Sequence, residues 1–240
     1  MKVLMSAILF SFLTSACSKE RNMSEIDQPT PTPSPISGQT KTYLALGDSY
    51  TIGESVKQAE SFPYQLKNLL INEGLNVANP KIIATTGWTT SELQNAIVQA
   101  KLTQKFDFVT LLIGVNNQYR GNSIETYKKE FSELLQTAIS FANGDKTKVF
   151  VVSIPDWGVT PFGKNFGKSI QTITTEIDNF NAVNEQIALA AGISYTNITP
   201  TSRKAINDLS LIANDGLHPS AKMYTEWANA LLPKISTVLK

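Results

Sequence analysis

From about residue 42 onward, short apolar runs alternate with longer stretches in which apolar residues recur every three or four positions. The runs are Tyr43 to Leu46, Lys81 to Ala84, Phe108 to Ile113, Val149 to Ile154 and a weaker Ile193 to Thr196. Their length and near-continuous hydrophobicity predict strands covered on both faces. Between them, Ile124, Tyr127, Phe131, Leu134, Leu135 and Ala138 fall on one face of a helix. Ile170, Ile173, Ile177, Phe180, Val183 and Ile187 repeat that spacing, as do Met223, Trp227, Leu231 and Ile235. Strand and helix in strict alternation predict a parallel sheet sandwiched between helical layers, in one α/β domain over residues 42–240.

The first forty residues have a different texture. Lys2 precedes an apolar stretch from Val3 to Leu13, which gives way to Thr14, Ser15, Ala16 and Cys17. A basic start, a short apolar middle and small residues at the cut predict a secretory signal over residues 1–16. The junction resembles a bacterial lipobox, with Thr14 where Leu is usual, and that resemblance makes Cys17 the lipidated first residue of the mature chain. A multiply acylated Cys anchors a protein without a spanning helix. Residues 17–41 then read as a spacer, because from Pro29 to Pro35 every second residue is Pro, which favours extended geometry. The expected location is the bacterial cell envelope, with the domain tethered to a membrane outside the cytoplasm.

Charge narrows the function classes. The 240-residue chain has 21 basic and 20 acidic residues, a formal charge of +1, so no global field draws it to nucleic acid. With one Cys and one His it lacks the usual ligand set for zinc, and neither a metal nor another cofactor is expected. Any imidazole chemistry has to use His218.

In open parallel sheets, ligands bind beyond the carboxyl ends of the strands. The first strand runs into Gly47, Asp48, Ser49 and Tyr50, where Ser49 stands at the strand tip as a nucleophile or as a helix cap. The second ends in Thr85, Thr86, Gly87 and Trp88, followed by Thr89 and Glu92 at capping-box spacing. The third ends in Gly114, Val115, Asn116 and Asn117, where Asn116 offers a carboxamide donor or caps the backbone. Ahead of the last helix lie Asp215, Gly216, Leu217, His218 and Pro219. Three residues across a turn let the carboxylate hold one ring nitrogen and leave the other outward, and Pro219 suits an early helical position.

Together these four segments resemble the four blocks of the SGNH hydrolase superfamily, the GDSL esterases and lipases. The resemblance implies a three-layer, flavodoxin-like sandwich with a five-stranded parallel sheet in the order 2-1-3-4-5. It implies that Ser49 is the nucleophile, His218 the general base and then acid, and Asp215 the group that orients the imidazole. It makes the N–H groups of Ser49 and Gly87, with the Asn116 side chain, the oxyanion hole. The family's third block usually continues with Asp, where this chain has Asn117.

That arrangement matches the chemistry of ester cleavage. A neutral hydroxyl needs a base within reach as it attacks a carbonyl, and imidazole is the side chain whose unperturbed titration lies near neutrality. Preset donors then stabilise the oxyanion that the ground state lacks. An α/β-hydrolase would need Gly-x-Ser-x-Gly, but Thr51 takes the place of the second Gly. A phosphate-binding flavodoxin relative would need a glycine-rich cradle in the first loop.

The substrate expected is a carboxylic ester of small or medium acyl groups, on a lipid, a glycan or a small molecule. A carbohydrate O-deacetylase is the alternative enzyme, and a catalytically silent lipoprotein that binds a glycan or lipid is the alternative outside enzymes. Trp88, Tyr119, Trp157 and Phe162 are the aromatic candidates for the substrate pocket, while Arg120 reads as a solvated surface residue, with contact to an anionic group as the alternative.

Overall fold

The computed structural model describes residues 37–240. The signal-like segment, Cys17 and the proline repeat lie outside the described residues. Seven strands occur there: β1 (Ser37–Lys41), β2 (Tyr43–Gly47), β3 (Leu75–Val77), β4 (Lys81–Ala84), β5 (Phe108–Leu112), β6 (Val149–Val152) and β7 (Ser194–Thr196). Five form a parallel sheet in the order β4-β2-β5-β6-β7, the 2-1-3-4-5 arrangement counted over sheet strands alone. Every residue of β2, β5 and β6 is buried, which is why these stretches read as unbroken apolar runs.

The helices are α1 (Ser49–Ile52), α2 (Phe62–Asn72), α3 (Thr90–Ala100), α4 (Val115–Tyr119), α5 (Ile124–Phe141), α6 (Pro161–Lys164), α7 (Ile170–Ala190), α8 (Thr199–Arg203) and α9 (Ala221–Leu239). From β2 the chain crosses to β4 in one direction, and from β4 onward it steps back across the sheet in the other. Because parallel crossovers are right-handed, α2 lies on one face while α3, α5 and α7 lie on the opposite face. Helix α9 packs on α2 and α5 on α7, which completes the two outer layers. The stripes read from spacing face inward: Tyr127, Phe131, Leu134 and Leu135 are buried on α5, Ile173, Ile177 and Phe180 on α7, and Met223, Trp227, Leu231 and Ile235 on α9, while Ile124, Ile170, Val183 and Ile187 pack against the core partly buried.

Two local features differ from the pattern-based expectation. Strand β1 occupies residues assigned to the spacer and pairs in parallel with β3, so regular structure begins before Thr42. Its sequence, SGQTK, has no apolar alternation; it is held by backbone pairing and by the Asn76 amide, which donates to Thr40 Oγ1 at 2.8 Å. Pro219 is not inside α9. Ser220 is the N-cap and accepts from Met223 N, which places Pro219 ahead of the helix, in a β-bridge with Ile212. A hydroxyl satisfies the first free N–H groups, and that role outweighs proline's fit to the first turn.

Sheet register decides what meets above it. Gly47 pairs with Ala84 on one side and Leu112 on the other, so β4, β2 and β5 end level. The segments after Gly47, Ala84 and Leu112 therefore emerge side by side.

Candidate active site

At the first exit the chain turns sharply into α1. Gly47 is required by close approach, since a Cβ there would lie 2.1 Å from Thr51 Oγ1 and 2.4 Å from the Leu112 carbonyl. Asp48 caps the helix, accepting from Tyr50 N at 3.0 Å. Burial pushes its carboxyl up to about 7, against the lowering effect of the backbone N–H groups of Tyr50 and of Asp48 itself. Ser49 follows at the first helical position, almost buried but lining a cavity.

At the second exit Gly87 adopts φ +86°, a left-handed geometry that favours glycine. The turn leads into the predicted capping box: Thr89 N donates to Glu92 Oε2 at 2.7 Å, and the Thr89 hydroxyl caps the Glu92 N–H. The Thr89 backbone N–H is the main cause of a lowered Glu92 pKa, aided by Arg120. Arg120 is engaged rather than free: it pairs with Glu92 at 3.1 Å and donates to the Gly87 carbonyl. Among the described residues, no hydrogen bond occupies the backbone N–H groups of Ser49 or Gly87.

At the third exit Asn116 lies in α4, where its amide donates to the Trp88 carbonyl at 3.0 Å. This bond ties the second loop to the third and leaves the amide a second proton. Asn117, the departure from the family block, is buried and joins α4 to the start of α3. Its oxygen accepts from Thr90 N at 3.0 Å and its NH2 donates to Thr90 Oγ1 at 2.7 Å. The Thr90 hydroxyl spends its own proton on Glu130. A carboxylate at 117 would offer Thr90 Oγ1 a second acceptor and no donor, so the amide fits this network and Asp does not.

The loop before α9 brings the acid and the imidazole together. Asp215 Oδ2 lies 2.6 Å from His218 Nδ1, while Oδ1 accepts from the N–H groups of Leu217 at 2.9 Å and His218 at 3.0 Å. Partial burial would raise the Asp215 pKa, but hydrogen bonds from Ser55, His218 and these two backbone groups outweigh it and hold the carboxyl at about 2. With Nδ1 engaged, Nε2 is left for a partner. The His218 ring packs 5.5 Å from that of Tyr50, the neighbour of Ser49.

These exits border a cavity of about 150 Å³. Ser49, Thr86, Gly87 and Asn116 supply its polar wall; Tyr50, Val115, Tyr119, Trp157, Phe162 and Leu217 supply the apolar one. Three of the four aromatic candidates thus line it. Trp88 is not among the lining residues: its side chain is half-buried against the core, and its carbonyl takes the Asn116 bond. Trp157 is buried with its indole N–H donating to Gln118 Oε1 at 2.7 Å, so it forms the floor of an aromatic group with Tyr119, Phe162 and Phe166. The 155–162 loop is fixed by Asp156, which accepts from Gly158 N, Thr174 and Arg203.

Sequence reasoning did not single out Tyr50, Thr86, Val115 or Leu217 as lining residues, nor Ser55 as a partner of Asp215. Only adjacency to the quoted blocks pointed toward the first four. Ser55 carried no signal, being one hydroxyl in a loop.

The parallel α/β/α sandwich thus carries a serine just beyond β2 and an Asp–His pair ahead of its last helix. Residues 45–225 match the GDSL-like lipase/acylhydrolase family, and the chain belongs to it. It is accordingly a hydrolase acting on ester bonds. The chain is similar in fold to the lipase/acylhydrolase from Enterococcus faecalis, with 21% identity, TM-score 0.65, and coverage of 83% of this chain and 97% of that one. It is also similar to the psychrotrophic esterase EstA from Pseudoalteromonas sp., at 17% identity and TM-score 0.62, covering 82% of this chain and 97% of that one. For Axe2, an acetylxylan esterase from Geobacillus stearothermophilus, the values are 18% and 0.60, with 81% and 94% covered. A comparison with curated protein sequences gives no match.

Proposed function

We propose that this protein cleaves short-chain carboxylic esters through an acyl-enzyme, with Ser49 as nucleophile, His218 as general base and then acid, and Asp215 as the orienting carboxylate. The observation that carries this reading is the placement of Ser49, Gly87 and Asn116 on one small cavity, beside the loop that holds the His218–Asp215 pair. Imidazole Nε2 takes the Ser49 proton as Oγ attacks the carbonyl carbon. The unoccupied N–H groups of Ser49 and Gly87 and the second amide proton of Asn116 receive the oxyanion, each such donor being worth about 3 kcal/mol in the transition state. The imidazolium, held by Asp215, then protonates the leaving alcohol. Water repeats the cycle on the acyl-enzyme.

The volume of about 150 Å³ and the mostly apolar wall favour an acetyl or other short acyl group over a long chain. The exposed aromatic rings of Tyr119, Phe162 and Phe166 at this site favour, as a second reading, a sugar leaving group and hence a carbohydrate O-deacetylase. A series of nitrophenyl esters from acetate to palmitate tests the proposal. Turnover should be greatest for the shortest acyl groups and should fall by several orders of magnitude in Ser49→Ala at unchanged thermal stability. Hydrolysis retained in that variant removes Ser49 from the mechanism, and no hydrolysis of any ester favours a binding protein.

We also propose that the domain is anchored to a membrane of the cell envelope through a lipidated Cys17, a reading that rests on residues 1–17 of the sequence. Cys17→Ala should move the protein from the membrane fraction to the soluble one. If it stays with the membrane, the anchor lies elsewhere.

A further inference from the structure

The loop after α1 holds a residue in an uncommon conformation. Gly53 ends α1 at φ +79°, and two residues later Ser55 has φ +65°. A serine is seldom found in the left-handed region, and such strain persists where surrounding contacts enforce it. Here the contact is a hydrogen bond 160 positions along the chain: Ser55 Oγ donates to Asp215 Oδ2 at 2.6 Å. That oxygen is the one His218 Nδ1 contacts, also at 2.6 Å. With Oδ1 taken by the N–H groups of Leu217 and His218, the carboxylate accepts four hydrogen bonds.

We propose that Ser55 is a positioning residue for the hydrolytic reaction, fixing Asp215 and through it the orientation and proton affinity of His218; this rests on the triad assignment made above. The physical effect is twofold. The hydroxyl clamps the carboxylate from the loop that follows the nucleophile's helix, so the segment carrying the serine is tied to the segment carrying its base. It also draws charge from Oδ2, which weakens the stabilisation Asp215 gives to an imidazolium. Without it the imidazolium is held more tightly but less well aimed.

Other ionisable groups surround this pair. Tyr50 and Tyr224 have phenols pushed up by burial, and Asp48 is raised to about 7. Asp156 is paired with Arg203, and Glu54 accepts from Thr86. None of these contacts passes through Ser55.

Ser55→Gly in the full chain is the discriminating variant, because glycine accepts the left-handed backbone while the CH2OH group, and with it the hydrogen bond to Asp215, is removed. The chain has one histidine, so NMR titration of its imidazole reads the effect without reference to turnover. Imidazole proton affinity should rise, on the order of threefold to tenfold. In the same variant kcat should fall on the order of tenfold with KM little changed, and the acid limb of the kcat profile should move upward in pH. Ser55→Ala should show the same titration shift with added loss of stability. An imidazole titration and pH profile identical to wild type in Ser55→Gly overturns the proposal, even if kcat falls. The two readings fail separately: wild-type activity that survives Ser49→Ala sinks the triad, whereas an intact triad with a silent Ser55→Gly sinks only this inference.

Discussion

Replacing Asp48 by Asn should change how stability depends on pH. Asp48 is fully buried beside Ser49; one oxygen accepts from Tyr50 N, and the other has no partner among the described residues. Burial raises the folded-state value from 3.8 to about 7. Below the unfolded value both states hold the proton, and the full contribution of the neutral acid is present. As pH rises from about 4 to about 7 the unfolded chain releases the proton while the folded chain keeps it, so stability falls; above that range both are ionised and the loss is constant. The displacement is roughly three units, and at about 1.36 kcal/mol per unit the loss is about 4 kcal/mol. Asn keeps the acceptor for Tyr50 and carries no charge at any pH, though its unpartnered NH2 costs about 1–3 kcal/mol throughout. The stability difference, variant minus wild type, should therefore climb by about 4 kcal/mol between about pH 4 and about pH 8. Urea denaturation of both proteins across that range measures it. Asp215 acts in the opposite sense, with a folded value of about 2 that costs stability only below about pH 4, and it cancels in the difference. Parallel curves for the two proteins would refute the claim that Asp48 is held neutral by burial.

Asn116→Ala should lower kcat about a hundredfold with a smaller effect on KM, because in the proposed mechanism its contact strengthens only as the oxyanion forms. Steady-state kinetics on a short-chain ester decides, and an effect confined to KM would make Asn116 a substrate-binding residue instead. Asn117→Asp should destabilise the fold by about 1–3 kcal/mol at neutral pH, since Thr90 Oγ1 loses its donor and gains a carboxylate neighbour. Thermal melting of the variant checks this; a melting temperature at or above wild type would show that the Thr90–Glu130 bond rearranges freely. Gly47→Ala should abolish folding or activity, given the approach of Thr51 Oγ1 and the Leu112 carbonyl, and an active, stable variant would mean that this turn yields.

Much of the architecture was legible because the sheet is parallel and buried. The five runs that read as strands are strands, with ends that agree to within two residues, and the helix stripes point to the core. The capping box at Thr89 and Glu92 and the contact of Asp215 with His218 were also readable, since both are local and fixed by spacing of three residues. Features built from distant pairs were not. β1 has no apolar pattern and exists through pairing with β3, while Ser55 meets Asp215 only when the chain has folded. Trp88 illustrates the reverse error: proximity to Gly87 in sequence suggested a pocket wall, but the left-handed turn at Gly87 directs the chain so that the side chain meets the core.

Periodicity and four short blocks thus determined the fold class, the strand order expected from family resemblance, and the set of candidate site residues. What required three dimensions was the register that ends β4, β2 and β5 level, bringing Ser49, Gly87 and Asn116 to one cavity. Cavity size, the identity of the aromatic wall, the need for an amide at 117 and the Ser55 clamp belong to that second category. Local spacing fixes dihedral preferences and hydrogen bonds within a turn, whereas contacts between segments far apart along the chain arise from packing, which no single segment encodes.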